Sequence, residues 1–179
     1  MGVRSSYSLS KLLWLALAVA ALALASQVQV PLKPVPVTLQ TLAVVLTGFL
    51  LGPRLGFAAT AVWLVGGAAG LPFFAGGESG IRHLAGPTAG YLWSFPFAAA
   101  LAGTSTEPQK RRNGLVWLFL VAIAAHLFIL AAGSLWLSTK VGATAAMKNG
   151  VMPFLPGAIL KSAVAAIVMK LVRGGGIRR

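Results

Sequence analysis

The feature that most limits what this chain can become is a succession of apolar runs of helical length, separated by short stretches rich in proline and glycine. The runs lie at about 11–30, 38–52, 54–71, 84–102, 114–138 and 153–173. Crossing the hydrocarbon core of a bilayer as a helix takes about 20 predominantly apolar residues. A barrel strand would alternate apolar and polar residues, whereas these runs are continuous. Composition agrees: 9% of residues are charged and 58% hydrophobic, too few charges to cover a water-facing surface, where about 25% is usual. The sequence therefore predicts an all-α integral membrane protein, a single membrane domain over 1–179 with six transmembrane helices. The second and third runs are short, which predicts tilting or shielding by neighbours. The first run contains Ala21-Leu-Ala23, which imitates a signal-peptidase site, but it is read as the first span.

Turn chemistry marks every boundary. Pro31, Pro34 and Pro36 interrupt the first gap, and Gly52-Pro53-Arg54 makes a tight second turn. The third gap opens with Gly76-Gly-Glu-Ser-Gly80, the fourth covers 104–113, and the fifth covers 142–150.

The formal charge of +13 would suggest nucleic acid as the partner of a soluble protein. In a membrane protein the cations mark topology, the partner is the lipid bilayer, and no nucleic acid is expected. With six spans, the side of the termini carries Arg4, Lys11, Arg54, Lys110, Arg111, Arg112, Lys170, Arg173, Arg178 and Arg179, and the other side carries Lys33, Arg82, Lys140 and Lys148. The bias of cations toward the cytoplasm places both termini inside and the gaps at 31–37, 71–83 and 139–152 outside.

Enzyme chemistry finds little support. Glu78 and Glu107 are the only acids, there is no cysteine, and His83 and His126 lie on different elements. Paired carboxylates, a metal site and a thiol nucleophile are thereby disfavoured. No Walker or dinucleotide motif is present, so no catalytic residue, cofactor or metal is expected, and energy for transport would come from a partner or an ion gradient. His126, on an apolar run, reads as a helix-packing residue.

One charge breaks the apolar pattern. Lys161 falls about one and a half turns inside the last run, after Pro153-Phe-Leu-Pro-Gly157. A cation at such depth costs about 2.5–3.5 kcal/mol on insertion scales, so it either snorkels to the interface or faces a cavity and an anionic ligand. Thr38, Gln40 and Thr41 open the second run, and Gly86, Pro87, Thr88 and Tyr91 open the fourth in the same outer layer. Ala16 and Ala20, and again Ala21 and Ala25, make small-xxx-small pairs in the first run. Such pairs let a helix approach closely, either within the chain or from a partner subunit.

Together, Pro34-Val-Pro-Val-Thr-Leu-Gln-Thr-Leu-Ala43, Gly48-Phe-Leu-Leu-Gly-Pro-Arg54, Gly70-Leu-Pro-Phe-Phe-Ala-Gly-Gly77, Ala85-Gly-Pro-Thr-Ala-Gly-Tyr91 and Pro153-Phe-Leu-Pro-Gly157 with Lys161 resemble the BioY family. BioY proteins are the biotin-specific substrate-capture (S) components of energy-coupling factor (ECF) transporters. The resemblance implies the six-helix S-component fold and a biotin pocket near the outer face of a prokaryotic cytoplasmic membrane. It also implies docking of the alanine-bearing first helix, through Ala16, Ala20, Ala21 and Ala25, on a transmembrane coupling subunit driven by two cytoplasmic ATPases. Some family members resemble stand-alone transporters, for which a homo-oligomer is the corresponding expectation.

Biotin would meet Lys161 or Arg82 with its carboxylate, and Phe73, Phe74, Tyr91 or Trp93 with its thiophane ring. Gln40, Thr38, Thr41, Glu78, Gly86, Pro87 and Thr88 complete the expected contacts. In one place the sequence departs from the pattern: the family's acid three residues before the lysine is Ala158 here, and Glu78 is the acid left to replace it. The alternatives are an S component turned to another small carboxylate or to a biotin precursor, or a non-transporting membrane scaffold with a vestigial pocket.

Overall fold

The computed structural model describes residues 3–106 and 114–174. The basic loop at 107–113, with Lys110, Arg111 and Arg112, and the terminal Arg178 and Arg179 lie outside the described residues, as do the side chains of residues 3–8, Arg4 among them.

The chain is helical almost throughout. Leucine and alanine favour the helix over long stretches, and a helix satisfies its own backbone polar groups where no water can. The helices are α1 (Val3–Gln27), α2 (Gln40–Ala68), α3 (Ala89–Gly103), α4 (Leu115–Val141), the single turn α5 (Ala143–Ala146) and α6 (Leu155–Gly174). Among the described residues, four segments are long and apolar enough to cross a membrane: Leu9–Gln27, Gln40–Ala68, Leu115–Val141 and Ala143–Gly174.

Helix α2 contains two of the expected runs because it doubles back. Gly52 takes φ 80° and ψ 177°, a combination that essentially only glycine adopts, and Pro53 follows it. In a straight helix residues 48 and 56 would lie about 12 Å apart. Here a Cβ built on Gly56 would stand 3.0 Å from the Gly48 Cα, so the arms 40–51 and 53–68 pack on each other. A Cβ on Gly48 would run into the Ala99 carbonyl oxygen and the Ala102 side chain of α3. Glycine thus sets how closely three helical segments meet.

The remaining boundaries differ from expectation by a few residues, for local reasons. The first run stops being helical at Gln27 because Gln29–Val30 (β1) pairs antiparallel with Val37–Thr38 (β2), in register Gln29 with Thr38 and Val30 with Val37. The fourth run is expected from residue 84, yet α3 starts at Ala89, after a 3₁₀ turn over Ile81–Leu84. The fifth gap is not an open loop: α5, a π turn at Met147–Val151 and a 3₁₀ turn at Met152–Phe154 lead into α6.

The core lies between α2, α3, α4 and α6, with Phe49, Trp63, Leu118, Ile129, Leu137 and Ala165 almost wholly buried. Helix α1 is the least covered: 11% of Leu9–Gln27 is buried, against 39% of Leu115–Val141. It is held at its end by Ser26, whose hydroxyl reaches the Phe73 carbonyl at 2.6 Å, and by Gln27, whose amide reaches the Pro72 carbonyl at 3.2 Å. The β1–β2 ribbon, the 69–88 connection and the 142–154 connection consequently gather at one end of the molecule.

Candidate ligand-binding site

These connections and the helix ends beneath them enclose a cavity of about 550 Å³, within the size range of small-molecule sites. Its chemistry starts on α6. Residues three and four apart share a helix face, and Ala158 and Ser162 are buried while Ile159 and Leu160 are exposed. Lys161 follows the inward face. Its ammonium donates to the Thr38 carbonyl at 2.5 Å and to the Thr41 hydroxyl at 3.2 Å. An ammonium has three N–H donors, so one is left for a ligand. Lys161 is therefore fixed at the cavity wall and does not snorkel outward.

The ribbon strand β2 places Thr38, and the start of α2 places Gln40. The Gln40 backbone N–H donates to the Thr38 hydroxyl oxygen at 3.2 Å, and that hydroxyl donates to the Gln40 side-chain oxygen at 3.3 Å. Their arrangement fixes the Gln40 amide and leaves Nε2, buried, without a hydrogen-bond partner among the described residues.

Helix α4 contributes His126. Its Nδ1 lies 2.9 Å from the Ala122 carbonyl oxygen and 3.0 Å from the Ser162 hydroxyl. A carbonyl only accepts, so Nδ1 carries the proton and Nε2 presents a lone pair. That Nε2 is also buried without a partner among the described residues. His126 does pack α4 against α6, as expected of it, but it also reaches the cavity wall.

The other walls are mainly apolar. Tyr91 of α3 donates its phenol to the Gly150 carbonyl at 2.8 Å, tying α3 to the 142–154 connection, and stacks on Phe154 with centroids 6.3 Å apart. Leu92, Phe95, Ile129 and Leu130 complete this side. From the 69–88 connection come Phe74, which is buried, and the pair formed by Glu78 and His83 at 3.4 Å.

Of the residues expected from sequence, Lys161, Thr38, Gln40, Thr41, Phe74, Glu78, Pro87, Thr88 and Tyr91 lie on this wall. Four residues do not, and each has other surroundings. Phe73 turns its ring onto Gly66. Arg82 is exposed. Gly86 serves through its carbonyl, which accepts from the Trp136 indole at 2.8 Å. Trp93, half exposed, donates to the Leu84 carbonyl at 3.1 Å. Conversely, His126, Ile129, Leu130 and Phe154 are wall residues that sequence reading assigned to packing or gave no ligand contact, and Ala158, read as the position of the family's acid, lies on the wall as well. Periodicity puts them on buried faces without saying which part of a face is hollow.

The four alanines of α1 divide by exposure: Ala16, Ala20 and Ala21 are exposed and Ala25 is half-buried. Their stripe is not used up by packing within the chain.

Comparison with known proteins places this arrangement. A profile of the BioY family matches residues 3–175. The chain is 38% identical over 145 residues to a probable biotin transporter BioY of Pyrococcus horikoshii, covering 81% of this chain and 85% of that protein. It is 34% identical over 140 residues to the biotin transporter BioY of Thermotoga maritima, covering 78% and 81% respectively. In fold it matches the crystal structure of the S-component for biotin from an ECF-type ABC transporter, with a TM-score of 0.85 and 24% identity over 97% of this chain and 95% of that one. With its profile matched nearly end to end and its relatives covered over most of their length, the chain belongs to the BioY family.

Proposed function

We propose that this protein captures biotin and takes it up across a membrane, as the S component of an ECF-type transporter. The observation that carries the reading is the cavity of about 550 Å³ with the Lys161 ammonium fixed at its wall. Biotin offers a carboxylate or a ureido carbonyl to that cation and an apolar bicycle to Phe74, Tyr91 and Phe95. Membership of a family whose relatives are named biotin transporters supports the same ligand.

The binding residues of this reading are Lys161, Thr38, Gln40, Thr41, Phe74, Glu78, Pro87, Thr88 and Tyr91. The single membrane domain crosses the bilayer six times, counting each arm of α2 and the shorter α3. Both termini face the cytoplasm, supported by the excess of cations on their side, so the cavity opens outward. The membrane is the prokaryotic cytoplasmic one. The protein is a carrier and not an enzyme; a transmembrane coupling subunit and cytoplasmic ATPases supply the energy, and α1 docks on that subunit through Ala16, Ala20 and Ala21.

Titration of the purified chain with biotin tests the ligand. Capture of a scarce vitamin calls for a Kd near nanomolar, about −12 kcal/mol. Absence of saturable binding below about micromolar would sink the assignment and favour a turned or vestigial pocket, for which Ala158 at the cavity wall is the motivating observation.

A further inference from the structure

Buried polar atoms normally find a partner, and one left without costs about 1–3 kcal/mol. Two such atoms belong to residues lining the same cavity: His126 Nε2, on a residue 2% exposed, and Gln40 Nε2, on a residue 5% exposed. They are complementary. The proton on His126 Nδ1 is committed to the Ala122 carbonyl, which makes Nε2 an acceptor. The Gln40 side-chain oxygen is committed to Thr38, which makes its Nε2 a donor. A ligand meeting both must present an N–H donor and a carbonyl-type acceptor. Glu78, the acid among the described residues, differs from His126 and Gln40 in being 64% exposed and beside His83.

Resting on the biotin reading above, we infer that His126 is a specificity-determining residue whose Nε2 accepts a hydrogen bond from a ureido N–H of the ligand, while Gln40 Nε2 donates to the ureido carbonyl. Ser162 is the positioning residue: its hydroxyl lies 3.0 Å from His126 Nδ1 and couples the ring to the helix that carries Lys161. The cavity thus reads a cyclic urea with neutral groups on α4 and α2, and it rejects carboxylates of similar shape that lack the N–H, because they would leave His126 unpaired.

Two amide substitutions separate this role from packing. In His126→Asn the short amide can keep the contacts made by Nδ1 to Ala122 and Ser162 but falls short of the cavity. His126→Gln carries an amide oxygen out to the position of Nε2. Isothermal titration of the full chain with biotin should show Kd raised about ten- to hundredfold in H126N and recovered to within about tenfold of the parent in H126Q. Thermal unfolding of the unliganded variants should be alike. Equal affinity of H126N and the parent overturns the inference, and so does an equal loss in both variants, which would mark a packing role. Failure of the parent itself to bind biotin is a separate result: it overturns the biotin reading, and this inference with it.

Discussion

Lys161 shows how a residue that is costly in isolation becomes part of a site. Its charge is partly desolvated, yet two oxygens, from Thr38 and Thr41, hold the ammonium in one place. Such preorganisation lowers what a ligand loses on binding. Lys161→Ala should therefore raise the Kd for biotin by about a hundredfold, the effect of removing a hydrogen bond to a charged group. It should leave the melting temperature of the unliganded protein almost unchanged, because removing the charge also removes its desolvation penalty. Calorimetric titration and a thermal melt on the same preparation check both halves. Unaltered affinity would remove Lys161 from the site.

At the scale of elements, close approach decides the architecture. The α2 hairpin and its packing on α3 require that residue 48 have no side chain, since a Cβ there would overlap the Ala99 backbone. Between lipid-exposed helices there is little hydrophobic drive to association, so van der Waals fit carries it. Gly48→Ala should accordingly destabilise the protein by about 1–3 kcal/mol, the usual penalty of overpacking. A lowered melting temperature in detergent would report it, and a variant as stable as the parent would mean that α3 yields easily. The same element logic explains the cavity. The Tyr91–Gly150 bond, the Ser26–Phe73 bond and the β1–β2 ribbon each anchor one connection, so the connections form a fixed rim over the helix ends.

For the whole molecule, capture and transport separate in space. The cavity lies under one set of connections, whereas the exposed stripe Ala16, Ala20 and Ala21 lies along the least covered helix. If α1 docks on a coupling subunit, Ala16→Trp or Ala20→Trp should abolish biotin uptake by cells that supply the coupling module. The same variants should leave the Kd for biotin within about twofold, because neither residue lines the cavity. Uptake at the parent rate would move the docking surface elsewhere; loss of binding would show that α1 shapes the pocket.

Much of this was legible in the sequence. Helices in a membrane follow from long apolar runs and few charges, because hydrocarbon leaves the backbone no other way to pair its polar groups. The turn at Gly52-Pro53 and the presence of a cation inside the last run were equally readable, since glycine, proline and lysine have strong local requirements; that the cation turns inward came from the structure. Contacts between distant residues were not. Nothing local told Phe74 from Phe73, adjacent and chemically identical, yet one is a cavity wall and the other rests on Gly66. Nothing local distinguished His126 as a packing residue from His126 as an acceptor at a cavity. Its role depends on Ala122 holding the proton on Nδ1 and on the packing of α4 that brings the residue to the cavity wall. The sequence by itself determined that this chain lives in a membrane and carries a cation within it. Only the tertiary structure decided which polar atoms that cation shares a cavity with, because their positions depend on how the helices close together in space.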